Sequence, residues 1–138
     1  LFDSTTTCTF LLPTLDKVFG SINTFTREML KATCGWEYSQ QEWDDVVSRL
    51  TLMERIYSIR EGHVPSRDDV LPDRFFEETI HSKYGEPKVL DRAKLMDLRE
   101  KFYLSLGLDK DGFPPTALLS KLGLDFAIPA MEKARKAV

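Results

Sequence analysis

Between Ser39 and Gly62 the chain carries a full set of helix signals. Ser39, with Glu42 three positions on, has the S-x-x-E form of a capping box, in which each side chain satisfies a free amide at the helix start. A helix therefore begins near Gln40. Trp43, Val46, Val47, Leu50, Met53, Ile56 and Tyr57 recur at steps of three and four, which places one apolar stripe along about six turns. Gly62 supplies the stop, because glycine accepts the left-handed backbone a helix C-terminus often needs. A helix this long with one apolar side can only be a spine against which the remaining segments pack.

Those segments also read as helical. Pro13 to Ser21 predicts one or two turns with Leu15, Val18 and Phe19 inward. Thr24 caps a helix through Thr33 with Phe25, Met29, Leu30 and Cys34 on one side and Gly35 as its stop. Trp36 and Tyr38 bridge to the spine, and Trp36 reads as a core anchor. His81 to Pro87 is a polar link of turn-formers, the stretch expected to be most mobile. Asp91 caps a further helix with a Leu90/Leu95 staple, a stripe of Leu95, Leu98, Phe102 and Leu106, and a stop at Gly107. Asp109-Lys110-Asp111-Gly112 predicts a tight turn; its D-x-D-G form is not a calcium loop, because the later Glu is missing and Pro114-Pro115 interrupt it. Thr116 caps a last short helix to Leu122, ended by Gly123, and Pro129 to Val138 is a further amphipathic stretch. No period-two strand run occurs. The fold class expected is all-α, a multihelical, orthogonal or irregular bundle forming one domain over residues 1–138.

Composition narrows the partners. With 42% hydrophobic and 30% charged residues the chain is of soluble globular type. A net charge of -3 with scattered basic residues argues against a nucleic-acid partner, and no apolar run approaches the ~20 residues of a membrane span. Leu1-Phe2-Asp3 does not resemble the charged start of a signal peptide, so a cytoplasmic location is expected. The first residue is Leu rather than Met, and the chain reads as a piece of a longer protein.

Few residues carry chemistry on their own. No nucleophile-base pair, phosphate loop or nucleotide fingerprint is present. A lone Cys8 makes no metal motif and is more simply a small buried hydrophobe. Cys34 reads as packing, and neither His63 nor His81 has a second ligand at metal spacing. Asp68-Asp69 could hold a hard cation or share a proton, but adjacent acids suit the N-terminus of a short helix better.

Longer patterns add what single residues lack. Met53-Glu54-Arg55-Ile56-Tyr57-Ser58-Ile59-Arg60-Glu61-Gly62, then Arg67-Asp68-Asp69-Val70-Leu71-Pro72-Asp73-Arg74-Phe75, resembles the C-terminal region of the tungsten-pterin aldehyde ferredoxin oxidoreductase family, whose pattern is roughly E-R-x-x-N-x-R-E-G and R-x-x-D-x-L-P-x-R. The likeness runs from about Leu1 to Leu124, with Ser58 in place of the family Asn. Asp3 and Cys8 fall where that family has D-x-x-G-L-C, with Thr6-Thr7 replacing Gly-Leu. The resemblance implies that Cys8 is the fourth thiolate on a four-iron, four-sulfur (4Fe-4S) cluster whose other three cysteines lie upstream, since thiolate sulfur is a soft ligand suited to iron. It implies that Asp3 lies near the pterin as a hydrogen-bond acceptor, and that the Thr7 and Thr9 hydroxyls tune the cluster. In the family reading, Arg60, Glu61, Arg67, Asp69 and Arg74 pair with one another as a structural clasp.

As a whole, the resemblance implies a fragment of a tungsten or molybdenum bis-pterin, iron-sulfur enzyme that oxidises aldehydes to carboxylic acids. The implied partners are the upstream domains of the same chain, ferredoxin, and a small aldehyde or acid, in a parent compatible with a homo-oligomer. The fragment alone is expected to bind no cofactor and to be inactive. The alternative is a noncatalytic helical module that binds a partner through Phe126, Ile128 and Met131.

Overall fold

The computed structural model describes residues 3–5, 7, 8, 10, 12–83 and 85–137. Of these, the side chains of Asp3, Leu12, Pro13, Leu15, Asp16, Ile80, Ser82, Glu86 and Pro87 lie outside the description. The architecture is all-α, with eight α-helices and one short hairpin among the described residues: α1 (Leu12–Phe19), α2 (Ile22–Cys34), α3 (Gln40–Arg60), α4 (Pro65–Asp68), α5 (Arg74–Glu77), β1 (Ile80–Ser82), β2 (Gly85–Lys88), α6 (Arg92–Ser105), α7 (Thr116–Lys121) and α8 (Ile128–Lys136). Two compact units divide the chain, Leu1–Thr51 and Leu52–Val138.

In the first unit, α2 starts at Ser21 rather than Thr24. The Ser21 hydroxyl accepts from the Thr24 amide at 3.1 Å, so the earlier of two candidate caps wins, and Gly35 ends the helix at φ 71°. Thr26 is buried because its hydroxyl donates to the Ile22 carbonyl at 2.8 Å. The capping box is formed in both directions: Ser39 N–H donates to Glu42 Oε2 at 2.8 Å, and Glu42 N–H donates to Ser39 Oγ at 3.3 Å. Trp43 is buried and lies against Tyr38, ring centroids 5.7 Å apart. Trp36, expected as an anchor, is exposed, and so is Val18. Phe19 is likewise exposed at its outer edge but still meets the Phe25 ring at 5.1 Å. The Leu15 side chain lies outside the described residues.

The second unit holds the hydrophobic core. Leu52, Ile56 and Ile59 of α3 pack with Tyr103 of α6, Leu119 of α7, Met131 of α8, and Leu108, Phe113, Leu122, Leu124 and Ala127 from the connections between them. Met53 and Tyr57, assigned to the α3 stripe by spacing, are exposed instead. The stripe drifts by one residue because Leu52 and Ile59 face the core in this half of the helix. On α6, Asp91 caps as expected, its carboxylate accepting from Lys94 N–H at 3.1 Å. Its buried residue is nevertheless Tyr103, while Leu98 and Phe102 are exposed. Where a mobile link is expected at His81 to Pro87, residues 80–88 carry an antiparallel pair, Ile80 opposite Lys88 and Ser82 opposite Gly85, with an irregularity between; Tyr84 lies outside the described residues. The 109–112 turn is held by Asp109, whose Oδ1 accepts the amides of Asp111 and Phe113, each at 3.0 Å, and whose Oδ2 pairs with Arg135 at 2.6 Å.

The tail after Gly123 is helical, but it does not present a wholly apolar outer face. Phe126 is exposed, whereas Met131 is buried in the core. No helix among the described residues is long and apolar enough to cross a membrane.

Candidate functional site

Two polar features stand out, one in each unit. In the first, a short 3₁₀ turn, Asp3–Thr5, leads into Thr7 and Cys8. The hydroxyls of Thr5 and Thr7 lie 3.0 Å apart, and Thr7 also reaches the Thr5 carbonyl at 3.4 Å and Met29 Sδ at 4.0 Å. Cys8 is an exposed free thiol, so it is not the small buried hydrophobe that a lone cysteine usually is. Cys34 is exposed as well, with Thr33 Oγ1 at 3.5 Å from its sulfur, which corrects its assignment to packing. It sits on the last turn of α2 just before the left-handed Gly35, where the chain leaves the helix and nothing covers it. Thr6, Thr9 and the Asp3 side chain lie outside the described residues.

The fit to an iron-sulfur cluster can be judged from the donors. Among the described residues no group of three or more His, Cys, Asp or Glu could hold a metal ion. Cys8 is a single accessible soft donor.

The second feature is a polar cluster centred on Asp69. The carboxylate Oδ2 accepts from Arg55 Nη2 and from the Tyr103 hydroxyl, each at 2.5 Å, and Oδ1 meets His63 Nε2 at 2.8 Å. The same His63 nitrogen also lies 3.3 Å from Arg55 Nη1. Arg55 also donates through Nε to the Gly112 carbonyl at 3.1 Å and lies over the Tyr103 ring at 5.3 Å. Arg99 donates to the Asp69 carbonyl at 3.4 Å. Burial opposes ionisation of Asp69, but the hydrogen bonds from Arg55 and Tyr103 and the Arg55 charge outweigh it and hold the carboxyl below its ordinary value. Burial, reinforced by the hydrogen bond to Asp69, pushes the Tyr103 phenol up.

The cluster differs from the expected clasp. Of Arg60, Glu61, Arg67, Asp69 and Arg74, only Asp69 belongs to it. Arg60 pairs with the adjacent Glu61, Arg67 with Asp68, and Arg74 with Glu78, all as local pairs near the surface. Each of these long cations finds a carboxylate within four residues, and Arg67 also donates to the Gly62 carbonyl at 3.4 Å. Asp68 does serve its short helix, its Oδ2 accepting from Val64 N–H at 2.7 Å. Asp69 sits just past that helix, where its side chain turns inward. The partners Arg55, His63, Tyr103 and Gly112 were not singled out together by the sequence; Arg55 in the E-R motif and Asp69 in the D-x-L-P motif were the only signal.

A family model described as aldehyde ferredoxin oxidoreductase, domains 2 and 3, matches residues 1–124. The chain belongs to the aldehyde ferredoxin oxidoreductase family. It is similar to the tungsten-containing aldehyde ferredoxin oxidoreductase of Pyrococcus furiosus, 30% identical over 98 residues that make up 71% of this chain and 16% of that protein. The protein of the same description from Thermococcus kodakarensis is 29% identical over 98 residues, with the same shares. The chain therefore spans about one sixth of the length of these aldehyde ferredoxin oxidoreductases. Both Cys8 and the Asp69 cluster fall inside the family match, and α8 lies beyond it.

Proposed function

We propose that this chain is the C-terminal part of a cytoplasmic tungsten- or molybdenum-pterin, iron-sulfur oxidoreductase that converts an aldehyde and water to a carboxylic acid, releasing two electrons and two protons. Ferredoxin is the electron acceptor. The family match over residues 1–124 carries the reading. The metal-pterin supplies the oxidative chemistry when bound. Cys8 acts as a thiolate ligand to the cluster, a role its exposure as a free thiol supports. Asp3 accepts hydrogen bonds from the pterin, and the first unit walls one side of the cofactor site. The Asp69 cluster acts structurally within the second unit, holding the α3–α4 loop onto α6.

The full-length protein, purified without oxygen, is expected to contain tungsten or molybdenum together with iron, and to reduce ferredoxin only when an aldehyde is added. A protein that carries neither pterin metal nor iron and shows no aldehyde-dependent reduction would contradict the reading and favour a noncatalytic helical module.

A further inference from the structure

A cavity of about 380 Å³ opens where the end of α3 and the following loop face α8. Its floor and walls are apolar, formed by Ile59, Phe113, Ala130 and Ala134, and its charged lining consists of Arg60 and Lys133. No acidic residue lines it among the described residues. Nearby carboxylates are already paired, Glu61 with Arg60 itself at 2.9 Å and Asp109 with Arg135, so Lys133 is the lining cation without a carboxylate partner among the described residues. Four of the lining residues, Ala130, Lys133, Ala134 and Ala137, come from α8 or its C-terminal end, so membership of the family over residues 1–124 does not account for the cavity.

A concave, mostly apolar volume in this size range, with a small number of polar groups at its edge, is the usual form of a small-molecule site. The alanines of α8 leave the space open, since their side chains stop at Cβ. The sign of the charge at the edge selects the ligand: an ammonium head would meet the Lys133 cation, whereas a carboxylate would gain a charge-assisted hydrogen bond from it. We propose that this cavity binds a small organic carboxylate, its hydrocarbon body lying between Ile59, Phe113 and the α8 alanines and its carboxylate held by Lys133 at the edge.

Octanoate is a suitable probe. Titration of the full-length protein, followed through the methyl resonances of isotope-labelled isoleucine and alanine, is expected to saturate with the largest shifts at Ile59, Ala130 and Ala134. Octylammonium, with the same tail and the opposite charge, is expected to bind about tenfold more weakly or worse. Lys133→Glu is expected to weaken octanoate by a similar factor, and Ala134→Trp to abolish the shifts by filling the cavity, with thermal unfolding showing that each variant still folds. Should Ala134→Trp fail to fold, the solvent-facing Lys133→Glu variant carries the test. Octanoate that does not saturate, shifts centred elsewhere, equal binding of the two probes, or unchanged binding in Lys133→Glu would overturn the proposal.

Discussion

Replacing Gly112 with alanine is expected to lower stability by about 3 kcal/mol, read as the shift of a denaturant unfolding midpoint. Gly112 has φ +80°, in the left-handed region where a side chain is disfavoured by roughly 1–2 kcal/mol. A Cβ there would fall 2.7 Å from Arg55 Nη2, 2.8 Å from Pro65 Cβ and 2.8 Å from Tyr103 Cζ. Pro65 and Tyr103 are both buried and cannot swing aside. The added carbon therefore drives the 109–113 turn away from α6 and stretches the bond from Arg55 to the Gly112 carbonyl. Gly62 is the control, since its φ is +100° but nothing lies within 4 Å of its would-be Cβ. Gly62→Ala should cost only the backbone share, about 1 kcal/mol. Equal costs at the two glycines would mean that the crowding around Gly112 is not real.

The second large effect centres on Asp69. Asp69→Asn keeps the side-chain shape but leaves the Arg55 guanidinium, 17% exposed, without its counter-charge. Removing one partner of a buried pair costs about 3–5 kcal/mol. Because this pair retains some access to water, a loss near the lower end, about 3 kcal/mol, is expected. The pH dependence follows from the direction of the shift. The folded-state carboxyl of Asp69 ionises at lower pH than it does unfolded, so its contribution is fully present well above the ordinary carboxylate value near 4 and is lost as pH falls through the folded value. Denaturant midpoints measured between neutral pH and about pH 2 should thus fall more steeply for the wild type than for Asp69→Asn. Other carboxyls, Asp68 among them, are also held low, so the difference between the two proteins isolates Asp69. Parallel acid limbs would show that Asp69 is not the stabilising anion.

These two positions also show what a one-dimensional reading can reach. The start of α3 is legible because both halves of its capping box lie within four residues, and the start of α6 because Asp91 bonds an amide three residues on. The Asp69 cluster is not, because its parts are far apart in the chain: Arg55 is 14 positions from Asp69, and Tyr103 is 34. Spacing ranked Phe102 as the buried aromatic of α6, whereas Tyr103 is the one taken inside. The buried phenol donates its hydrogen bond to Asp69 and lies 3.5 Å from the Pro65 carbonyl, and no local pattern encodes those acceptors. The hairpin at 80–88 escaped for another reason. Strands of three and four residues are too short to display alternation.

At the candidate cofactor loop, the residue pattern alone left Cys8 as an ordinary small hydrophobe, and only the longer family pattern pointed to a ligand. The Cys8 thiol is exposed, which sets aside the buried-hydrophobe reading. Cys34 supplies an internal comparison, since it is equally exposed but lies outside the D-x-x-x-x-C pattern.

The most direct measurement is therefore iron and acid-labile sulfide in the full-length protein, prepared without oxygen as wild type, Cys8→Ala and Cys34→Ala. The prediction is about four irons per cluster in the wild type and in Cys34→Ala, with the cluster lost or degraded in Cys8→Ala. Iron and sulfide retained in full by Cys8→Ala would contradict the assignment of Cys8 as a cluster ligand.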